Sequence, residues 1–328
     1  MNSLSNSPIF RKKVSPEIVF SLNNKLTLTN PREDLGGQLY VCDECGELLT
    51  FNEDGSYSTL YTLGGMQKCI AFGPSNNSIY IADLMNKIVY ENPLEKDKEV
   101  ISIFKDYCGV SLKGSTSLVR SNDDDYIIVA DAGHFGSSTI NNASGSIYLF
   151  DINNNVLRPL ILNNLAYPCD IYHDKEEDTF YICEMLNNRV LRMVQNPKGV
   201  FHCSVFYTFN GRLGPSAVTM DEIGNIYISR SDFFENNKKN NNGIISIITK
   251  EGNLVGEIIV EGYSEINGLL IPRNFENKES QKNNGNGNGN DTLAGNVIYF
   301  TDRNFSGVLK IKLSVVSQDL EKLQENKY

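Results

Sequence analysis

The chain has 328 residues and a mass of 36.7 kDa, enough to bury one large all-β domain or two ordinary ones. A formal net charge of −10 and a pI near 4.9 argue against nucleic-acid and membrane partners, because both select a basic face. Seven cysteines, an odd number scattered through a long chain, do not read as a secreted disulfide framework and point to a reducing, cytoplasmic setting.

Residues 1–15 read as a flexible N-terminal tail. "RKKV" at 11–14 is followed by no unbroken apolar stretch or small-residue cleavage site, and no run approaches the ~20 apolar residues of a membrane-spanning helix. "PEIVFSL" (16–22) is then a strand with no partner nearby in the chain. From residue 26 a pattern sets in. A short strand leads to a second strand that ends in an acid: "LYVCD" (39–43), "IYIAD" (79–83), "IIVAD" (127–131), "FYICE" (180–184), "IYISR" (226–230, with Asp232 late) and "IYFTD" (298–302). The leading strands begin at Leu26, Cys69, Ser117, Cys169, Ser216 and Ile266. A third strand and usually a fourth follow each pair, as in "KIVYEN" and "VISIF" or "RVLRMV" and "FHCSVFYTF".

Four strands repeating every ~40 to 50 residues are the signature of propeller blades. Turns such as "NEDGS" (52–56), "PSNNS" (74–78) and "DEIGN" (221–225) supply the Asn, Asp and Gly that hairpins require. The expected architecture is an all-β, six-bladed β-propeller over 16–313 with four antiparallel strands per blade. The last blade runs out of strands after "GVLKIKL", so residues 16–22 are expected to fill its outer position and cover the open edge. "FENKESQKNNGNGNGNDTLAGN" holds a low-complexity insertion at about 275–295 that cannot build a core. The tail 314–328, with "SVVSQDLEKLQENKY", reads as a short C-terminal helix.

The array resembles the six-bladed propeller superfamily of NHL-repeat, senescence marker protein/gluconolactonase and strictosidine synthase-like proteins. "SAVTMDEIGNIYISRSD" is similar to an NHL blade. "GSIYLFD", followed by the proline-led strand of "NNLAYPCDIYHD", is similar to the middle of a strictosidine synthase-like or lactonase propeller. The resemblance implies a site at the channel mouth, where inner strands begin; that face collects Lys68, Cys69, Ser117, Cys169, Asp170, Ser216 and Glu265. It also implies a divalent metal such as calcium, held by carboxylate and amide oxygens. Here the chain departs from the pattern. Cys169 stands at the family's Asn and Ser216 at its Asp, while Ser264 takes the place of the strictosidine synthase-like glutamate, with Glu265 one residue on.

The residues therefore favour a binding module that recognises a small molecule or protein at the channel mouth and carries no cofactor. The alternative is a metal-dependent lactone or ester hydrolase. In it Asp170 and Glu265 hold a divalent cation, and Glu265 and His134, in the loop "DAGHFGSS", are the catalytic candidates. The acids Asp43, Asp83, Asp131, Glu184 and Asp302 read as turn caps. "CDEC" (42–45) lacks the second pair or βαβ context of a metal or redox site.

Overall fold

The apolar-Tyr-apolar segments become the second strands of the sheets, and they are buried end to end. Leu39–Asp43, Ser78–Asp83, Thr179–Glu184, Ile226–Ser231 and Val297–Asp302 are buried at every residue. Such burial requires apolar layers on both faces of the sheet, which a propeller provides by packing each sheet against two neighbours. The chain is an all-β propeller. The computed structural model describes residues 10–23, 26–73, 78–86, 88–93, 101–122, 125–133, 138–210, 213–231, 234–235, 238–239, 241–273 and 297–314.

The first sheet comprises Leu28–Glu33, Leu39–Asp43, Glu47–Phe51 and Tyr57–Thr62, from the inner to the outer edge. The second runs Gln67–Phe72, Ser78–Asp83, Ile88–Pro93 and Ile101–Phe104, and the third Ser115–Arg120, Tyr126–Asp131, Gly145–Asp151 and Val156–Leu165. The fourth runs Pro168–Asp174, Thr179–Glu184, Arg189–Gln195 and Phe201–Thr208. In the fifth sheet Leu213–Met220, Ile226–Ser231, Gly243–Ile248 and Leu254–Val260 are extended by Phe10–Val14. The sixth sheet runs Ile266–Leu270, Val297–Asp302, Phe305–Lys312 and Glu17–Ser21. Each inner strand contacts the next, and that of the sixth sheet contacts that of the first.

Two expectations need correction. Five sheets have four strands and one has five, and Asp106–Tyr107 with Val110–Ser111 and Phe234–Glu235 with Lys238–Lys239 form two small ribbons, so the sheets are not equal four-stranded blades. The fifth strand comes from the supposed tail: Phe10–Val14 pairs in parallel with Gly256–Val260, and Gly256 leaves room for the Phe10 ring. The Arg-Lys-Lys run hid this strand, because an outer edge strand bonds through its backbone and tolerates charged side chains. Glu17–Ser21 pairs antiparallel with Phe305–Lys312, at the outer position expected for 16–22. Among the described residues the helical element is the 3-10 turn Met185–Asn187. No described helix is long and apolar enough to cross a membrane. The low-complexity insertion at about 275–295, and the expected C-terminal helix over 314–328 apart from Ser314, fall outside the described residues.

The acidic strand ends are buried and tie each second strand to nearby backbone. Asp43 Oδ1 accepts from the amides of Cys45 and Glu47, at 2.9 and 2.7 Å. Asp131 accepts from Lys113 and Gly133, Glu184 from Ala166, and Asp302 from Glu265 and Asn304. These carboxylates cap turns, as their position before a loop leads one to expect.

Candidate functional site

Every inner strand carries an irregularity near its start, and that of the fifth sheet carries two. The register with the second strand slips between Thr29 and Arg32, Gln67 and Cys69, Ser115 and Ser117, Pro168 and Asp170, Pro215 and Ala217, and Ile266 and Gly268. A bulge of this kind leaves one residue without a partner and re-aims its side chain. The bulged residues Asn30, Lys68, Thr116, Cys169, Ser216 and Asn267 all line one cavity of about 70 Å³ at the channel mouth, together with Tyr167, Glu265 and Arg303.

Most of the bulged side chains also fasten a sheet to its neighbour. Asn30 Nδ2 donates to the Lys68 carbonyl at 2.6 Å, Thr116 Oγ1 to Pro168 at 2.8 Å and Cys169 Sγ to Pro215 at 3.2 Å. Ser216 Oγ donates to Ile266 at 2.6 Å, and Asn267 Nδ2 to Leu28 at 3.0 Å, which joins the last sheet to the first. Lys68 instead reaches back to Glu44. Burial pulls the Lys68 ammonium below its ordinary range and nearby Arg303 adds to this, while Glu44 opposes it. Burial pushes the Tyr167 phenol up to about 12. Both carboxamides keep an oxygen with no partner: Asn30 Oδ1 and Asn267 Oδ1 are buried and accept no hydrogen bond.

Of the residues expected at the mouth, Lys68, Cys169, Ser216 and Glu265 line this cavity. Cys169 and Ser216 are neighbours, the thiol lying 3.6 Å from the Ser216 carbonyl oxygen. Cys69, Ser117 and Asp170 do not line it. They follow the bulged residues and are fully buried. There Arg32 Nη2 meets Cys69 Sγ at 3.3 Å and Asp170 Oδ1 at 3.1 Å. Asp170 Oδ1 also accepts from Ser117 Oγ at 2.9 Å, and Oδ2 from the Val218 amide at 3.0 Å. This network is a plug across the channel, built from five sheets. The earlier placement of these three residues is corrected by the bulges, which spend the outward-facing position on the residue before each of them.

This carboxylate is thus fully engaged and turned from the mouth, and Glu265 Oε1 accepts from Asn304 Nδ2 at 3.1 Å. Asp170 and Glu265 do not form a common ligand pair. Among the described residues no three His, Cys, Asp or Glu side chains converge on a metal position. Lys68, Arg303 and Glu265 line the mouth beside the carboxamides of Asn30 and Asn267. His134 lies outside the described residues. His173 is buried, stacked on Phe180 at 4.2 Å and bonded to the Arg120 carbonyl and Asp178, as a packing residue would be.

Asn30, Thr116 and Asn267 were missed because a bulge has no composition of its own. The repeat carried the signal nonetheless: Lys68 precedes Asp83 by fifteen residues, as Thr116 precedes Asp131, Cys169 precedes Glu184 and Ser216 precedes Ser231.

The fold is similar to that of solved propellers. The calcium-binding protein regucalcin from Agrobacterium tumefaciens matches with a TM-score of 0.68 at 12% identity, over 93% of this chain and 95% of that one. A gluconolactonase from Xanthomonas campestris matches with a TM-score of 0.64 at 13% identity, over 91% and 94%. A catalytically inactive virginiamycin B lyase from Staphylococcus aureus matches with a TM-score of 0.56 at 13% identity, over 89% and 97%. At such identities the likeness establishes the β-propeller fold. No protein-family model and no curated protein sequence matches the chain.

Proposed function

We propose that the chain is a ligand-binding propeller whose site is the bulge-lined mouth, and that the ligand is a small, neutral, hydroxyl-rich molecule of the sugar or sugar-lactone class. In this reading the five-stranded sheet serves as one blade of a six-bladed ring. The observation that carries the proposal is the pair of unpartnered carboxamide oxygens, Asn30 Oδ1 and Asn267 Oδ1. A buried acceptor left unmade costs ~1–3 kcal/mol, so a ligand hydroxyl that draws either carboxamide toward the cavity and donates to it recovers binding energy. Lys68, Tyr167 and Arg303 supply donors around the same cavity. The gluconolactonase among the structural neighbours gives independent support for the ligand class. The seven free cysteines support a reducing, cytoplasmic location.

Calorimetric titration with D-glucose should show saturable binding. Asn267→Ala should weaken it by about twofold to tenfold, the worth of one neutral hydrogen bond. Absence of saturable binding to D-glucose would overturn the assignment of ligand class.

The binding-module reading also separates itself from the metal-dependent hydrolase reading by its response to cations. Millimolar calcium, magnesium, manganese or zinc should leave the melting midpoint of the native protein unmoved, whereas a resident cation at a hundred times its Kd would add ~2.7 kcal/mol. Tight cation binding that Glu265→Ala abolishes would replace the binding-module reading. The Cys169→Asn/Ser216→Asp double variant should gain cation affinity, because it sets two hard oxygen donors on neighbouring sheets.

A further inference from the structure

Beyond the plug, the far ends of the same inner strands enclose a second and larger cavity, about 420 Å³. Its wall is apolar, formed by Ile70, Phe72, Leu118, Ile171, Val218 and Leu269. A volume in the range of ~300–1,000 Å³ with an apolar lining and a few convergent polar groups describes a small-molecule site.

The charged groups at its edge are not equivalent. The Arg32 guanidinium is engaged by Asp170, and Arg120 donates to the Phe72 carbonyl. Asp34 spends its carboxylate on the amides of Gly36 and Gln38 and on the Tyr40 hydroxyl. Arg273, like Arg120, has a neutral partner, but it stands over an aromatic ring beside Glu33. Its guanidinium lies over the Tyr172 ring, 5.5 Å from the centroid, and donates to the Tyr172 hydroxyl. That partner is neutral, so the charge remains available to an anion, and an arginine fork matches a carboxylate in two hydrogen bonds. Glu33 stands beside it, accepting from the Arg273 backbone amide at 2.7 Å.

We propose that this second cavity binds a small amphiphilic monocarboxylate, with its apolar body against the strand ends and its carboxylate on Arg273. The site lies at the opposite end of the channel from the sugar-class mouth and does not depend on it.

Glu33 makes the site responsive to pH. Burial pushes its carboxyl up to about 7, with the neighbouring Asp34 adding to the shift and the Arg273 amide and charge opposing it. The Tyr299 hydroxyl, also raised by burial, faces it from the sixth sheet and stays protonated through this range. Around the cavity the Arg32 guanidinium, held up against the effect of burial by Cys69 and Asp170, keeps its charge. His173 is pushed toward the neutral form by burial. Below about 7 Glu33 is neutral and leaves Arg273 to the ligand; above it, a second anion competes for the same guanidinium.

The test is titration of the full-length protein with octanoate and, as its uncharged counterpart, octanamide. Octanoate should bind at least about tenfold more tightly than octanamide, the worth of a charge-assisted hydrogen bond. Its affinity should rise by about tenfold from pH 8 to pH 6, following the Glu33 titration. Arg273→Gln should remove the preference for octanoate, and Glu33→Gln should flatten the pH profile while retaining binding. Equal affinity for the two probes, or no saturable binding of octanoate by the native protein, would overturn the proposal without recourse to any variant.

Discussion

Asp170→Ala should lower the unfolding free energy by about 3–5 kcal/mol, the range measured when one partner of a buried ion pair is removed. The reason lies in what remains. Asp170 is fully buried, and its carboxylate is the acceptor for Arg32, for Ser117 and for the Val218 amide. Truncation strands a guanidinium whose side chain is 17% exposed and orphans two further donors on other sheets. A paired Arg32→Met/Asp170→Val variant should lose much less, because no charge is then left without a partner. The chain has no tryptophan, so urea unfolding is best followed by far-ultraviolet circular dichroism. A loss below about 1 kcal/mol for the single variant would mean that the pair behaves as a solvated surface bridge.

Removal of residues 1–22 should abolish cooperative unfolding or cause aggregation. It strips the outer strand from the sixth sheet and the parallel strand from the fifth in one step. Phe20 alone is 5% exposed, sits in the core with Leu49, Phe51, Tyr299 and Val308, and stacks on Tyr57 at 4.9 Å. Phe20→Ala should therefore cost ~3–5 kcal/mol. Deletion adds to this the exposed edge of Phe305–Lys312, a template for pairing with another copy. Size-exclusion chromatography and a melting curve decide the matter. A truncated protein that stays monomeric with an unchanged midpoint would show that the two strands are decoration.

The parts of the fold legible in the sequence were those in which one physical demand selects one residue type. A strand buried on both faces must be β-branched or aromatic, and so the apolar-Tyr-apolar runs announced the second strands. An acid before a turn caps backbone amides, and so Asp43 and Asp131 were readable as structural. The candidate site was half legible. Lys68, Cys169, Ser216 and Glu265 follow from strand phase, but the bulges shift that phase by one and send Cys69, Ser117 and Asp170 into the plug. Arg32 escaped notice because its role is set by a partner 138 residues away. Phe10–Val14 escaped because edge pairing is made by backbone groups, which every sequence possesses.

The bridge made by the chain's first described strands also orders events in time. Glu17–Ser21 emerges from the ribosome long before its partner, Phe305–Lys312. At a synthesis rate of ~5–20 residues per second, the early strand waits tens of seconds for its mate. Through that interval Phe20 and its neighbours are a sticky, unpaired segment. Ring closure must wait for that partner and is slow, since the loop entropy of joining such distant segments must be met before any contact rewards it. Until then the waiting strand must be kept from pairing with another copy.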